Sequence, residues 1–232
     1  MSLHHQPPSN NLLYDWNHLF STLSTLIPIH ESIQTSLENY VAQLLRWNQT
    51  YHLIGPAAVP NLLTRHILDS ASLLPFLPPS GTIADMGSGA GLPGIILAIL
   101  SPPNRLFHLF EANQKKARFL QFIASELDMT HQVFVHKKRI EEAKDLFHTF
   151  DVCTSRALAD LEIIAKLSRM LLLANGYCLA MKGKMVHDEV KQFAHGKQAI
   201  HFDPPVVHPS PFGGEGEIVQ LKYVPRGTKV GK

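Results

Sequence analysis

Between Ile83 and Gly94 the chain reads IADMGSGAGLPG, an apolar run that breaks into glycines and then opens a helix-forming stretch. Glycine turns a backbone sharply through positive φ and lets a ligand approach the main chain closely. A helix start adds backbone N–H groups without intrahelical partners, and Pro93 suits a first turn because it has no N–H to leave unpaired. A ligand is therefore expected on this turn, beside Gly87 and Gly89. Gly89 to Gly94 also satisfies GxGxxG, the dinucleotide fingerprint, so the pattern alone leaves a dinucleotide and S-adenosylmethionine both open. Two features favour the latter. Asp85 stands two residues before the first glycine, placed to engage, directly or through water, the cationic amino-acid end of such a ligand, and the turn is one glycine pair longer than a dinucleotide needs. Glu111 follows Gly91 by ~20 residues, where a carboxylate accepts hydrogen bonds from ribose hydroxyls. It suits either cofactor.

Other chemistry-bearing residues are less decisive. The 14 histidines are scattered, without an HxH or HExxH cluster to suggest a metal. Cys153 and Cys178 lie in apolar runs outside any CxxC pair and read as buried thiols. Arg65, His66, Asp69 and Ser70 fall one helical turn apart and share a face, where Asp69 either pairs with Arg65 as a structural tie or serves function. Trp47, with Asn48 beside it, reads as core rather than as a platform for stacking bases.

The elements that must position these residues follow from composition and periodicity. The chain has 232 residues, 45% hydrophobic and 17% charged, which excludes a disordered or collagen-like chain. Its longest apolar stretch, Leu92–Leu100, is far shorter than the ~20 residues of a membrane helix. The start, MSLHHQPPSN, lacks the pattern of a secretory signal, so a cytoplasmic protein is expected. A net charge of +2 confines any nucleic-acid site to a local patch. Residues 1–10 read as a flexible tail and residues 11–75 as a helical N-terminal subdomain of three helices. PFLPPSG, Pro75 to Gly81, punctuates the chain. Residues 76–232 then form an α/β domain. Strands are expected at Thr82–Met86, Arg105–Glu111, Gln132–His136, Asp151–Ser155 and Tyr177–Met181, with helices near 91–100, 113–128, 160–174 and 185–195. Such alternation implies a mostly parallel sheet with helices on both faces. Ala199–Phe202 and Glu217–Tyr223 are expected to add edge strands, and DPPVVHPSPFGGEGE between them a loop.

DMGSGAGLPGIILAI, EANQKKARFL, RIEEA, FDVCTSRALADL and GYCLAMKG, in this order, together with LLRWNQTYHLI and RHILDS upstream, give the chain a family likeness over about residues 40 to 190. It resembles the bacterial 16S rRNA guanine-N7 methyltransferases, the glucose-inhibited division protein B family. The resemblance implies a Rossmann-like class I S-adenosylmethionine-dependent methyltransferase sheet behind a small helical N-terminal part. It also implies methyl transfer from S-adenosyl-L-methionine to N7 of a guanine in the decoding region of 16S rRNA. By motif position, Gly87 and Leu92 would contact the cofactor and Glu111 its ribose. Ile140 and Glu141 would frame the adenine, and Arg156 would sit at the cofactor and substrate mouth. The family usually carries Asn-Leu-Thr where this chain has His52-Leu53-Ile54, and often serine at Ala112.

Guanine N7 carries a lone pair and no proton, so positioning suffices and no residue is expected to act as a general base. Thr154-Ser155-Arg156-Ala157 stands where amine methyltransferases place an Asn-Pro-Pro-Tyr type motif, which agrees. Lys115 and Lys116 with Arg118, His136 with Lys137, Lys138 and Arg139, and the strand-end Lys182 and Lys184 could line the cleft and bind RNA phosphates. The tail from Arg226 could add a contact. The partner implied is 16S rRNA, in the small subunit or its precursor, with no membrane and no DNA. Two other classes remain: a dinucleotide-dependent oxidoreductase, and a non-catalytic RNA- or ribosome-binding protein on the same fold.

Overall fold

The computed structural model describes residues 14–183, 186–213 and 216–225. The tail at 1–10, Lys184 and the stretch from Arg226 lie outside them. The strands are β1 (Gly81–Met86), β2 (Arg105–Phe110), β3 (Val133–His136), β4 (Phe150–Arg156), β5 (Leu172–Lys182), β6 (Val206–Pro209) and β7 (Glu217–Lys222). They form a seven-stranded sheet in the order β3-β2-β1-β4-β5-β7-β6. The first five are parallel, and β7 and β6 add antiparallel to the edge. The chain enters at β1, winds out to β3 and returns to β4 on the other side of β1. Strand order therefore reverses between β1 and β4, and a crevice opens outside the carboxyl ends at such a point. Central strands buried on both faces read as apolar runs rather than as alternation, which made them visible in the sequence.

The helices are α1 (Trp16–Leu23), α2 (Glu31–Tyr51), α3 (Asp69–Ala71), α4 (Gly94–Ile99), α5 (Gln114–Glu126), α6 (Leu161–Leu171) and α7 (Val186–Ala194). Side chains of Asn113 and Asp160 cap α5 and α6 by accepting backbone N–H bonds in the first turn, as short polar residues do at helix starts. One core joins the N-terminal helices, α4 and α5 to one face of the sheet. A second core seats α6 and α7 on the other face. On α2 the buried residues Leu37, Tyr40, Val41 and Leu44 make the stripe expected of a helix with one apolar face. Cys153 and Cys178 are buried free thiols facing each other in register across β4 and β5.

Three sequence expectations need correction. The third N-terminal helix is not a regular α-helix: a 3-10 turn at Pro56–Asn61, which contains Pro60, leads into a π-helical segment at Leu62–Leu68 that runs on into α3. Proline has no N–H and its ring clashes with the preceding turn, so a regular start there is disfavoured. Ala199–Phe202 is a single 3-10 turn at Ala199–His201, with Phe202 making only an isolated bridge to Tyr223. Conversely, the Pro-rich stretch expected as loop contains β6, whose position at the sheet edge accommodates a proline at its end.

The hydroxyl of fully buried Tyr40 donates to the Ala90 carbonyl at 2.9 Å, fastening α2 to the glycine-rich turn. Tyr40→Phe leaves that carbonyl unpaired away from water, and a buried unsatisfied acceptor costs about 1–3 kcal/mol. Denaturant unfolding is expected to show a loss of this size with an unchanged m-value.

Candidate active site

The turn after β1 carries positive φ at Gly87 (72°), Gly89 (57°) and Gly91 (93°), the left-handed region that favours glycine. The N–H groups of Gly87 and Ser88 both donate to the Phe110 carbonyl, at 3.0 and 3.1 Å, so the turn is laid across the end of β2. A Cβ built at Gly89 meets nothing nearer than the Gly87 carbonyl at 3.9 Å, leaving this side of the turn open. At Gly94 the reverse holds: a Cβ would collide with Leu109 and with Asp85, so glycine is what lets α4 approach the strands. The helix begins at Gly94, following a cis Leu92–Pro93 bond.

Asp85 has no exposed surface. Its Oδ2 accepts from Gly94 N–H at 3.1 Å and its Oδ1 from the Thr154 hydroxyl at 3.0 Å. The carboxylate expected to meet a ligand thus holds α4 and β4 to β1, and the first N–H of α4 is not free for a ligand. Burial pushes the carboxyl up to about 6, against hydrogen bonds that favour its charged form. The motif Thr154-Ser155-Arg156-Ala157 gives no hint by itself that Thr154 bonds to Asp85. The one signal is a polar residue in an apolar strand, and the fold sets it in register with Asp85.

Glu111 reaches the glycine turn from the end of β2. Its Oε2 accepts from Gly89 N–H at 2.9 Å and its Oε1 from Asn113 N–H at 2.7 Å. A carboxylate offers about four lone-pair sites, so it can accept ribose hydroxyls while keeping both bonds. Gly87, Gly89, Leu92 and Glu111 are thus brought together beside the ends of β1 and β2. These glycines, the open side of the turn and the acceptor beside it form a cradle that fits the nucleoside part of S-adenosylmethionine. Ile140 and Glu141 lie one strand further out, in a short turn after β3, with the Ile140 side chain buried and Glu141 exposed.

Arg156 ends β4, one residue past the register pair Met86–Ser155 and so across the switch point from the turn. Its Nη2 donates to the Arg65 carbonyl at 2.8 Å, contacts His66 Nδ1, and lies 3.8 Å from Asp69 Oδ2. Its Nη1 is buried without a partner, as is the Ser155 hydroxyl. Burial, then Arg156 and Arg65, drives the His66 pKa down to about 4, so the ring is neutral at pH 7 and able to accept. Arg65 and Asp69 stay on one side although the segment between them is π-helical, and both line the cavity beside Arg156. Asp69 pairs with Arg156, while buried Ser70 turns its hydroxyl back onto the His66 carbonyl at 2.6 Å.

The basic residues divide into two groups. Lys115 and Lys116 start α5, and Lys137, Lys138 and Arg139 follow β3, all at the carboxyl edge on the Glu111 side. Lys115, Lys137, Arg139 and Arg118 are exposed. Lys138 makes a surface pair with Asp145 at 3.4 Å. Lys182, expected among the RNA contacts, is an internal tie instead: its Nζ donates to Ala159 O and to Glu189 Oε1, both at 2.6 Å. Trp47 is half-buried against Tyr51, Phe119 and Phe122, and Asn48 Oδ1 accepts from Ile54 N–H at 2.9 Å, a structural role. His52 is in the left-handed region (φ 50°), which asparagine and histidine both tolerate, so the departure there keeps the backbone shape. Exposed Ala112 lies in the link between β2 and α5. A cavity of about 720 Å³ opens on the other side of Arg156, away from the glycine turn. No helix among the described residues is long and apolar enough to cross a membrane, and among them no group of three or more His, Cys, Asp or Glu is placed to hold a metal.

Because its folded pKa lies above the ordinary carboxylate value, Asp85 favours the fold most when protonated, and this contribution is lost as pH rises through about 6. Relative to Asp85→Asn, the wild-type unfolding free energy is expected to fall by about 2 kcal/mol between about pH 4 and 6. Paired denaturant titrations across that window measure the difference.

The family described as rRNA small subunit methyltransferase G (GidB) matches residues 33–208. Relatives named ribosomal RNA small subunit methyltransferase G include that of Halorhodospira halophila, 40% identical over 156 residues, covering 67% of this chain and 72% of the relative. That of Granulibacter bethesdensis is 36% identical over 210 residues, covering 88% and 93%. In fold the chain is similar to a SAM-dependent O-methyltransferase from Thermotoga maritima, with a TM-score of 0.57 at 14% identity over 82% of this chain and 73% of that one. A SAM-dependent methyltransferase from Aquifex aeolicus gives 0.57 at 13% identity over 78% and 98%. At such identities these two likenesses carry the class I methyltransferase fold alone. The glycine turn, Glu111, Arg156 and the helical wall holding Asp69 all fall inside the matched region, and the chain belongs to the rRNA small subunit methyltransferase G family.

Proposed function

We propose that this protein is an S-adenosylmethionine-dependent methyltransferase that modifies N7 of a guanine in the decoding region of 16S rRNA, acting in the cytoplasm on the small subunit or its precursor. One observation carries the reading beyond family membership: the acceptor Glu111, bonded to Gly89 N–H at 2.9 Å, and the donor Arg156, with its Nη1 buried and unpartnered, stand on opposite sides of one switch point. The first suits a ribose and the second an oxygen of a second substrate or of the cofactor's carboxylate. S-adenosylmethionine supplies an electrophilic methyl group on a sulfonium when bound. Gly87, Gly89 and Leu92 would shape its cradle, Ile140 and Glu141 would frame the adenine, and Asp85 would hold the cradle from beneath. Lys115, Lys116, Lys137 and Arg139, with Lys138 if its surface pair opens, would contact RNA phosphates, giving affinity without sequence information.

No proton has to leave guanine N7, so these residues need only position the base and offset charge. Undermodified small subunits incubated with labelled cofactor are expected to gain one methyl, mapped to N7 of a guanine by reduction and aniline cleavage. Label on another atom, or none, overturns the reading.

Two further outcomes follow from the geometry. Glu111→Gln turns an amide towards backbone N–H groups that now meet a carboxylate, and hydrogen bonds to charged groups are worth about 1.5–3 kcal/mol. Calorimetry is expected to show cofactor affinity lower by roughly ten- to hundredfold. Burial holds His66 at about 4 and also lowers His136, so neither gains charge near neutrality. Single-turnover rates at saturating RNA are expected to be flat from about pH 6.5 to 8.5, whereas a tenfold rise per unit would require a protonated nucleophile.

A further inference from the structure

The cavity of about 720 Å³ beside Arg156 has the volume of a site for a small ligand or a single extruded nucleotide. It lies at the ends of β4 and β5, across the switch point from Glu111, and its wall includes Arg65, Asp69, Arg156, Phe212 and Glu217. Asp69 retains 40% of its side-chain surface despite the 3.8 Å approach of Arg156 Nη2, so most of its lone pairs are unused. A carboxylate acceptor thus stands next to guanidinium donors, with an aromatic ring on the same wall. Among the four RNA bases only guanine presents two adjacent donors, N1–H and N2–H₂, beside an acceptor, O6. Uracil flanks its one donor with acceptors, while adenine and cytosine place an acceptor where a carboxylate would repel it.

We propose that this cavity receives the target guanine, extruded from the RNA stack, with Asp69 accepting from N1–H and N2–H₂ and Arg156 donating to O6. Asp69 is then the residue that selects guanine, and N7, the neighbour of O6, is turned towards the switch point. The assignment rests on the reading of the protein as a guanine-N7 methyltransferase. Glu217, on the same wall, lies 3.7 Å from His187 and serves as the comparison carboxylate.

Small subunits are reconstituted on rRNA carrying guanosine or inosine at the methylated position; inosine lacks only the 2-amino group. A site built to hydrogen-bond that group rejects the analogue, so the wild type is expected to methylate guanosine at least about tenfold faster. In Asp69→Asn the preference collapses to within about twofold, while Asp69→Glu, which keeps the carboxylate, and Glu217→Gln retain it. Single-turnover assays with enzyme in excess read the ratio even where the variant is slow, and a purely structural role for Asp69 slows both substrates alike. A preserved preference in Asp69→Asn, with the methyl still on N7, overturns the pocket and leaves the activity standing. So does loss of the preference in Glu217→Gln instead. Failure of the wild type to methylate N7 of guanosine overturns both.

Discussion

A carboxylate with no exposed surface, Asp85, stands one residue before the end of β1, and its two oxygens hold the first N–H of α4 and the hydroxyl of Thr154 on β4. A buried charge persists only when hydrogen-bonded, and these partners lie on the two elements that the switch point must keep in register. With Asp85 before the glycine turn and Gly94 after it, the loop between them is bracketed by a single interaction. The close approach explains why Gly94 has no side chain. Tyr40 adds a third anchor through Ala90, and the Phe110 carbonyl a fourth through Gly87 and Ser88. The turn is therefore held in shape by its supports, which is what a site needs if binding is not to be weakened by ordering a loop.

This constraint also separates what the sequence revealed from what it hid. The five parallel strands, the capped helices between them and the glycine turn follow from short-range signals: apolar runs, helical periodicity and residues that demand positive φ. Gly89 and Glu111 were legible together because the spacing of a βαβ unit brings the two strand ends side by side. The task of Asp85 was not, since a carboxylate before a glycine turn looks the same whether it faces a ligand or a helix start. Only the register of β1 with β4, a contact between residues 69 apart, gives it Thr154. Lys182 misled for a similar reason, its partner Glu189 being placed by the packing of α7. β6 was hidden by prolines that an edge strand tolerates, and the π-helical segment by a periodicity that cannot distinguish one extra residue per turn.

The two sides of the switch point differ in how they treat charge. At the ends of β2 and β3 the cations Lys115, Lys137 and Arg139 are exposed, the arrangement that suits phosphates and is screened by salt. At the end of β4 the charges are drawn inward: Arg156 is mostly buried and leans on a backbone carbonyl, a neutral histidine and Asp69. Exposed cations add affinity for any RNA, whereas half-buried donors and acceptors reward only a base that matches them, because a mismatched one leaves a desolvated group unpaired. The switch point thus separates two kinds of surface: Glu111 and the glycines on one side, and on the other a polar wall where the same burial lowers the His66 pKa and leaves Arg156 Nη1 without a partner.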